Sequence, residues 1–409
     1  MGVISPIGIG VEAYVASMRE GRSGVGPLTR LAEYELPVPF GGEVKDFDAK
    51  QYVTPRKSIK VMCHEIQMAF SAGVLAMQQA GVEKGTVPPD RIGVVLGSEM
   101  HYVQVDELKD AIRGCVVNGE FCFDLWGEKM SQMYPLWMLK YLPNMAACHI
   151  GIALDARGPT NSHVLGDVSS LHALMEAAAV IQRGHADVMI TGGIGSRIDI
   201  TPIMYRGDAN LSHRLDDPAA ACRPFDRDRD GIVNGEGAGM FVVESRQHAE
   251  ARGAKILATV EGQSCSVHSL SDPTPNTGRA IRMTISQALE RSGITADDIG
   301  HVNANGLSTV SNDMIEATAI HELLGDVPVT APKSYFGDLG AGTAAVEMVA
   351  SVQTLNDGLI PATLNYETPD PKCPINVVHG QPLTTTKSHA LVLSQSTMGQ
   401  AAAVVLGKA

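Results

Sequence analysis

Apolar runs and segments of helical periodicity alternate along most of the chain. Seven apolar runs read as buried strands, at residues 91–97, 160–165, 186–193, 240–244, 256–261, 301–305 and 390–394. Helical patterns fall between them, at residues 11–21, 54–80, 171–179, 277–292, 313–324 and from about 341. A Gly/Pro turn leads from the start of the chain into the first helix, with no strand predicted before it. Strands alternating with helices favour parallel sheets covered by helices.

The chain contains two similar sets of alternating strands and helices, which join near Ser245. This predicts a duplicated α/β core with an N-terminal half at residues 1–245 and a C-terminal half at residues 246–409. The run at 160–165 meets Gly166 and Asp167, and a helix with buried Leu171 and Leu174 follows. A residue at such an elbow faces the unpaired N–H groups and the positive dipole end of the helix, where nucleophiles are often placed. Here that residue is Asp167.

Composition excludes several functions. The 409 residues carry a net charge of −13, which would repel nucleic acid and anionic membranes. No segment reaches the roughly 18 apolar residues of a membrane span, and no signal peptide is recognisable, so we expect a cytoplasmic protein. Seven cysteines without a CxxC pair predict neither a disulfide framework nor a zinc site. The calcium-like string DRDRDG at 226–231 lacks the glutamate at its twelfth position, so no metal is predicted.

Several strings resemble the elongating β-ketoacyl-ACP synthases, the condensing enzymes of fatty-acid and polyketide biosynthesis. The similar strings are SPIG near the start, ARGP at 156–159, ADVMITGG at 186–193, RPFDRDRDGIVNGEGAGMFVVE at 223–244, HVNANGLSTVSND at 301–313 and APKSYFGD at 331–338. They span nearly the whole chain. The resemblance implies a thiolase-like α/β fold, with duplicated halves in a five-layer αβαβα arrangement.

The same resemblance implies a catalytic cysteine at the elbow and two catalytic histidines. Those positions carry Asp167, Asn305 (in NANGLST) and Asp338 (in KSYFGD), whereas the lysine of the last motif is kept as Lys333. The family's glycine-rich C-terminal loop is altered to SQSTMGQA, which places Thr397 and Met398 at its substrate-binding positions.

These replacements oppose ordinary condensation. A carboxylate is a weak nucleophile, and its charge would repel the oxyanion that the site should stabilise. One hypothesis is a non-condensing partner subunit, similar to the chain length factors that pair with an active ketosynthase. The alternative is an enzyme with altered acid–base chemistry on acyl-ACP, such as dehydration or hydration, in which Asp167 stays ionised and Asp338 is the acid. The partner hypothesis is preferred, and true condensation is the third possibility.

The resemblance also implies partners. An acyl carrier protein would present the substrate on its phosphopantetheine, with no further cofactor, and would dock on Arg56, Lys57 and Lys60. A dimer, either with itself or with an active ketosynthase, would form through the strand at 160–165. Separately, the position and bulk of the aromatic stretch that includes Phe121 and Trp137 predict that it borders the acyl tunnel or the subunit contact.

Overall fold

The structure is a computed structural model that describes residues 1–268 and 278–409. Its α-helices within these residues are α1 (Val11–Arg19), α2 (His64–Ala80), α3 (Val105–Gly114), α4 (Trp126–Lys129), α5 (Met145–Leu154), α6 (Ser169–Gln182), α7 (Ile200–Arg206), α8 (Arg246–Ala251), α9 (Arg279–Ser292), α10 (Val310–Leu324) and α11 (Thr343–Asp357). Short 3₁₀ helices add to them, among them Arg56–Val61, Gly166–Val168 and Pro332–Tyr335.

The strands follow in chain order. They are β1 (Gly2–Ser5), β2 (Gly8–Ile9), β3 (Val25–Pro27), β4 (Phe40–Gly42), β5 (Ile92–Gly97), β6 (Val116–Val117), β7 (Glu120–Phe121), β8 (Thr160–His163), β9 (Val188–Ser196), β10 (Glu236–Glu244), β11 (Thr259–Val267), β12 (Ile299–Asn303), β13 (Pro328–Thr330), β14 (Leu359–Ile360), β15 (Asn376–Val377), β16 (Leu383–Thr384), β17 (His389–Gln395) and β18 (Gln400–Gly407).

Two six-stranded sheets carry the fold. The first has the order β2-β1-β10-β9-β5-β8 and the second the order β11-β18-β17-β12-β13-β15. The pairs β9–β5 and β5–β8 are parallel, as are β17–β12, β12–β13 and β13–β15. However, β10 is antiparallel to both neighbours, and β18 is antiparallel to β17 and β11. The expectation of parallel sheets is therefore wrong for these strands.

The physical reason lies in the connections. Glu236 at the start of β10 pairs with Ser196 at the end of β9, so the intervening segment returns the chain to the same end of the sheet. The strands β17 and β18 are joined by a short hairpin turn. Neither connection includes the crossover that a parallel pair requires.

Helices form three layers around the two sheets. The helices α6 and α11 contact strands of both sheets, α2 and α5 pack on the first sheet, and α9 packs on the second with α10 beside it. The central pair is rich in alanine and buried along most of its length, from Ser169 to Val180 in α6 and from Thr343 to Leu355 in α11. Small side chains let both sheets approach these helices closely. The resulting αβαβα order confirms the predicted thiolase-like fold.

Several local predictions need correction. A strand, β1, is present at residues 2–5, where none was predicted, because its four residues are too few to show a period. The helix predicted at 54–80 is interrupted near Cys63, between the 3₁₀ helix and α2. The strand β18 follows the predicted last strand. Thr277, the predicted first residue of the helix that begins at Arg279, lies outside the described residues.

The first sheet ends in chain order at Glu244, and the second sheet begins at Thr259. The division of the chain at residue 245 stays a prediction. Among the described helices, none combines the length and the hydropathy that a membrane span needs.

Candidate functional site

Three neighbouring parallel strands bring charged side chains to one edge of the first sheet. Glu99 follows the carboxyl end of β5, Arg197 follows β9 directly, and Asp167 follows β8 after a short turn. Because the carboxyl ends of parallel strands lie at the same edge of a sheet, these side chains converge there. All three are buried.

The predicted elbow at Asp167 is confirmed as a strand, a turn and a helix. Gly166 has φ of +64°, which an L side chain rarely adopts, and the 3₁₀ turn Gly166–Val168 leads into α6. Ser169 Oγ donates to the carbonyl of Gly166 and accepts from the N–H of Leu165, which closes the turn. The hydroxyl of Ser394, on β17 of the second sheet, donates to the main-chain carbonyl of Asp167 at 2.9 Å. Both sheets therefore hold this residue in place.

Asp338 lies before α11 and is fixed by its main chain. Its N–H donates to the carbonyl of Val233 at 2.7 Å, and its carbonyl accepts from the N–H of Gly235 at 2.9 Å. Its carboxylate accepts from Thr343 Oγ1 at 3.0 Å and from the N–H of Gly340 at 3.3 Å. The carboxylate is thus held next to the N-terminus of α11.

Arg197 joins the two aspartates. One terminal guanidinium nitrogen donates to Asp167 Oδ1, and the other donates to Asp338 Oδ2. The nitrogen that contacts Asp167 also lies 3.4 Å from Glu99 Oε1. The side chain of Arg197 is only 8% exposed, so these are buried, charge-assisted hydrogen bonds. The sequence analysis did not select Arg197 or Glu99.

Glu99 connects this cluster to the protein surface. Its Oε1 accepts from the N–H of Ala341 at 2.7 Å, and its Oε2 lies 3.4 Å from a guanidinium nitrogen of the exposed Arg206. A Cβ atom at Gly340 would lie 1.8 Å from Glu99 Oε1, and this glycine has φ of +63°. Only a glycine therefore allows the carboxylate to approach here.

Lys333 lies on the inner side of the same cluster. Its Nζ is 3.7 Å from Asp338 Oδ1 and 3.7 Å from Glu347 Oε1, and it is almost completely buried. Glu347 has no hydrogen-bond partner for either carboxylate oxygen among the described residues. Burial raises the pKa of Glu347 to about 8, although Lys333 opposes the shift. Lys333 stays protonated, because Glu347 and Asp338 raise its pKa despite burial.

The pKa values of the two aspartates are shifted in opposite directions from the ordinary aspartate value. Burial raises the pKa of Asp167 to about 6, with Arg197 opposing the shift. Burial would also raise the pKa of Asp338, but Arg197 and Lys333 outweigh it and lower that pKa. The order is the reverse of the expectation that Asp338 is the acid. Both cations act on both carboxyl groups, but they outweigh burial only at Asp338, where Lys333 Nζ lies 3.7 Å away. At neutral pH both carboxylates are ionised.

Asn305 occupies a separate hydrogen-bond network. The carboxylate of Glu316 accepts from the N–H of Asn305 at 2.7 Å and from the N–H of Gly306 at 2.9 Å. The side-chain Oδ1 of Asn305 accepts from the N–H of Gln395 at 3.5 Å, and its Nδ2 has no partner within the described part of the chain. No described hydrogen bond joins Asn305 to Asp167 or Asp338.

The other predicted site residues lie at the surface, except for the half-buried Trp137. Thr397 and Met398 are exposed at the turn between β17 and β18. Phe121 is 49% exposed on β7, whereas Trp137 packs against a hydrophobic core that includes residues of α2. The carrier-docking residues Arg56, Lys57 and Lys60 are exposed on the 3₁₀ helix Arg56–Val61, and the described ion pairs include none of them. Their assigned roles stay predictions.

A large cleft of about 660 Å³ lies away from these residues. It is lined by side chains that include Leu174, Val242, Arg252, Lys255 and Leu406, and by none of the predicted site residues. The candidate site is therefore identified by its convergent charged groups rather than by cavity size.

Comparisons with known families agree with this architecture. The family model described as the β-ketoacyl synthase N-terminal domain matches residues 1–249, and the model for the C-terminal domain matches residues 257–367. The chain belongs to the β-ketoacyl synthase family. The ketosynthase resemblance drawn from the motifs is thereby confirmed.

Individual relatives cover nearly all of the chain. The 3-oxoacyl-[acyl-carrier-protein] synthase 2 of Synechocystis sp. is 36% identical over 390 residues, covering 93% of this chain and 90% of the relative. The enzyme of the same name from Vibrio cholerae is 33% identical over 387 residues, covering 92% and 90%. This chain is thus related to ketosynthases of fatty-acid biosynthesis.

Two solved structures relate it to polyketide biosynthesis. The ishigamide ketosynthase/chain length factor has a TM-score of 0.86 at 26% identity and covers 100% of this chain and 97% of its own. A type II polyketide synthase acyl-carrier protein in complex with its ketosynthase, bound to the hexaketide, gives a TM-score of 0.85 at 26% identity, with 100% and 98% covered.

Proposed function

We propose that this chain is a non-condensing subunit of the chain-length-factor type, which pairs with an active ketosynthase and acts with acyl-carrier-bound chains. The main support for the proposal is the position of Arg197, which is buried between Asp167 and Asp338 and donates hydrogen bonds to both. The charged groups at the centre are paired with one another. A pocket prepared for condensation would instead direct its donors at a substrate oxyanion.

The chemistry of the elbow supports the same conclusion. A carboxylate attacking a thioester would give a labile anhydride, and Asp167 is engaged by a cation that lowers its nucleophilicity further. Nothing at this position replaces a thiolate. The charges are also balanced, since the carboxylates of Asp167, Asp338 and Glu99 face the cations of Arg197, Lys333 and Arg206. Glu347, beside Lys333, has its pKa raised to about 8 by burial and is mostly protonated at neutral pH. The buried cluster therefore needs no ligand charge to balance it.

One observation favours the alternative of acid–base chemistry. Asp167 has its pKa raised to about 6 while that of Asp338 is lowered, and a pair of carboxyl groups with separated pKa values can divide the roles of acid and base. In that case Asp167, rather than Asp338, would be the acid. The shared Arg197 would have to move before either group reached a substrate.

The surface offers features for the proposed partners. In the first sheet β8 is an edge strand, paired with β5 on one side only, and an open edge of this kind can pair with a second subunit. The side chains of Phe121, Phe123 and Tyr134 are strongly exposed for aromatic residues, which suits a subunit contact. The cations of Arg56, Lys57 and Lys60, for which the ion pairs of the described residues give no partner, suit an acidic carrier protein. Both complexes would form in the cytoplasm, with phosphopantetheine as the only prosthetic group.

Mass spectrometry of carrier-bound acyl thioesters tests the proposal. The purified protein, its Asp167→Asn and Asp338→Asn variants, and an Asp357→Asn surface control are each assayed alone and with an active ketosynthase. We expect no product from the protein alone, and unchanged assembly and product length with either active-site variant. Turnover by the protein alone, lowered about 100-fold in Asp167→Asn or Asp338→Asn but not in Asp357→Asn, would instead establish the acid–base enzyme.

A further inference from the structure

A second buried cluster of reactive side chains lies at the N-terminus of α2. Cys63 is the residue that precedes this helix, Glu65 lies in its first turn, and His101 follows β5. One ligand atom from each, the thiol sulfur, a carboxylate oxygen and an imidazole nitrogen, lies within 4.8 Å of the other two. All three residues are at most 9% exposed. The three side chains are therefore close enough to share one ligand.

Glu65 is 9% exposed, and the ion pairs among the described residues include none that involves its carboxyl group. Burying a carboxylate without a cation is unfavourable. A divalent cation at the centre of the three ligand atoms would remove that cost.

The ligand types indicate which cation fits. Zinc binds cysteine sulfur at about 2.3 Å and histidine nitrogen or carboxylate oxygen at about 2.0–2.2 Å. In a tetrahedral site these bonds place neighbouring ligand atoms about 3.3–3.8 Å apart. The ligand atoms lie within 4.8 Å of one another, so no pair has to approach by more than about 1.5 Å. Calcium and magnesium prefer sites made entirely of oxygen, which a thiol does not provide.

We propose that Cys63, Glu65 and His101 bind one zinc ion, with water at the fourth position. The thiol loses its proton to solvent when the sulfur binds, and the ion joins α2 to the segment after β5. Ser98 Oγ, 3.3 Å from His101 Nε2, orients the imidazole ring. Two residues before His101 stands Glu99, so the ion would also fix the carboxylate that contacts Arg197. The sequence offered no sign of this site, because the ligands follow no recognised spacing.

Metal analysis of the full-length protein tests the site. After treatment with a chelator and dialysis, the wild type is titrated with Zn²⁺ and with Co²⁺. We expect one equivalent of zinc per chain, a thiolate-to-cobalt charge-transfer band and a rise in melting temperature with zinc. Wild-type protein that binds no stoichiometric zinc and gives no thiolate band with cobalt would overturn the proposal, whatever the behaviour of any variant.

Variants then assign the ligands. Cys63→Ser should remove the charge-transfer band, and both Cys63→Ser and His101→Gln should weaken zinc affinity at least tenfold. The control is Cys265→Ser, which changes an exposed cysteine on β11 and should leave both signals intact. Circular dichroism verifies that each variant is folded before titration. An unchanged band in folded Cys63→Ser, or its loss in Cys265→Ser, would contradict the assignment.

Discussion

Removing the cation at the centre of the site is the sharpest test of how this pocket is held together. In Arg197→Met an apolar side chain of similar length faces the carboxylates of Asp167, Asp338 and Glu99. Breaking a buried ion pair by removing one partner costs about 3–5 kcal/mol. We expect a loss of about 3 kcal/mol, the lower end of that range, because Lys333 remains 3.7 Å from Asp338.

The loss should depend on pH. Arg197 lowers the pKa of Asp338, so its contribution to stability is present above the pKa of an unfolded aspartate and is lost as the pH falls through the folded value. In Arg197→Met this cation no longer opposes the effect of burial, so the carboxyl groups of Asp167 and Asp338 take up protons at higher pH than in the wild type. The difference in unfolding free energy between wild type and Arg197→Met should therefore be largest at pH 8 and shrink toward pH 4. Urea denaturation followed by circular dichroism measures it at each pH.

Two further variants serve as a control and as a test of the cause. Arg19→Met removes one partner of an ion pair whose arginine is 54% exposed, and it should cost less than about 1 kcal/mol. Combining Arg197→Met with Asp167→Asn and Asp338→Asn should restore much of the lost stability, because two of the unpaired charges are gone. If Arg197→Met costs no more than Arg19→Met at pH 8, the buried network does not stabilise the pocket, and the argument for an internally compensated site fails.

Three other outcomes follow from the structure. Raising the pH from 5 to 8 should lower the unfolding free energy of the wild type by about 3–4 kcal/mol more than that of Glu347→Gln. The reason is that the folded pKa of Glu347, about 8, lies above its unfolded value. If urea titrations show the same change of unfolding free energy with pH in both proteins, this prediction is wrong. Replacing Arg56, Lys57 and Lys60 by glutamate should weaken carrier-protein binding, most strongly at low salt, and calorimetry with unchanged affinity would remove the docking assignment. The variant Ser162→Pro removes an N–H from the edge strand β8 and should dissociate the proposed dimer, as measured by sedimentation. A wild-type protein that sediments as a monomer would contradict the dimer proposal itself.

The sequence predicts the elbow well because its signals are local. A strand, a glycine with positive φ and a helix with buried positions three residues apart all lie within about 25 residues, and each follows from a backbone rule. The position of Asp167 at the elbow was therefore predictable from local signals, whereas Lys333 and Asp338 were selected only through the resemblance of KSYFGD to a family motif. Most strands of the two sheets were predictable, but their parallel or antiparallel pairing was not. The antiparallel pairing of β10 with β9, for example, depends on the path of the segment of some forty residues that joins them.

The contacts of Arg197 with the two aspartates were not predicted from the sequence. It is 30 positions from Asp167 and 141 from Asp338, and no short motif connects the three. One signal was available, since Arg197 directly follows the buried strand β9 and Glu99 nearly follows β5, and charged residues at the carboxyl ends of adjacent parallel strands tend to meet. The zinc cluster offered no such signal, because Cys63 lies at the start of a helix that was predicted to continue through it.

The balance of three carboxylates and three cations around Asp338 has a consequence for how such a pocket can change over generations. Replacing Arg197 alone would leave its buried carboxylate partners short of a cation, and this cost falls on stability before any new chemistry can appear. A cysteine placed at position 167 would still leave Arg197 bound to Asp338 and Glu99. If the proposed function is right, a change towards condensation would therefore require replacements at several positions together.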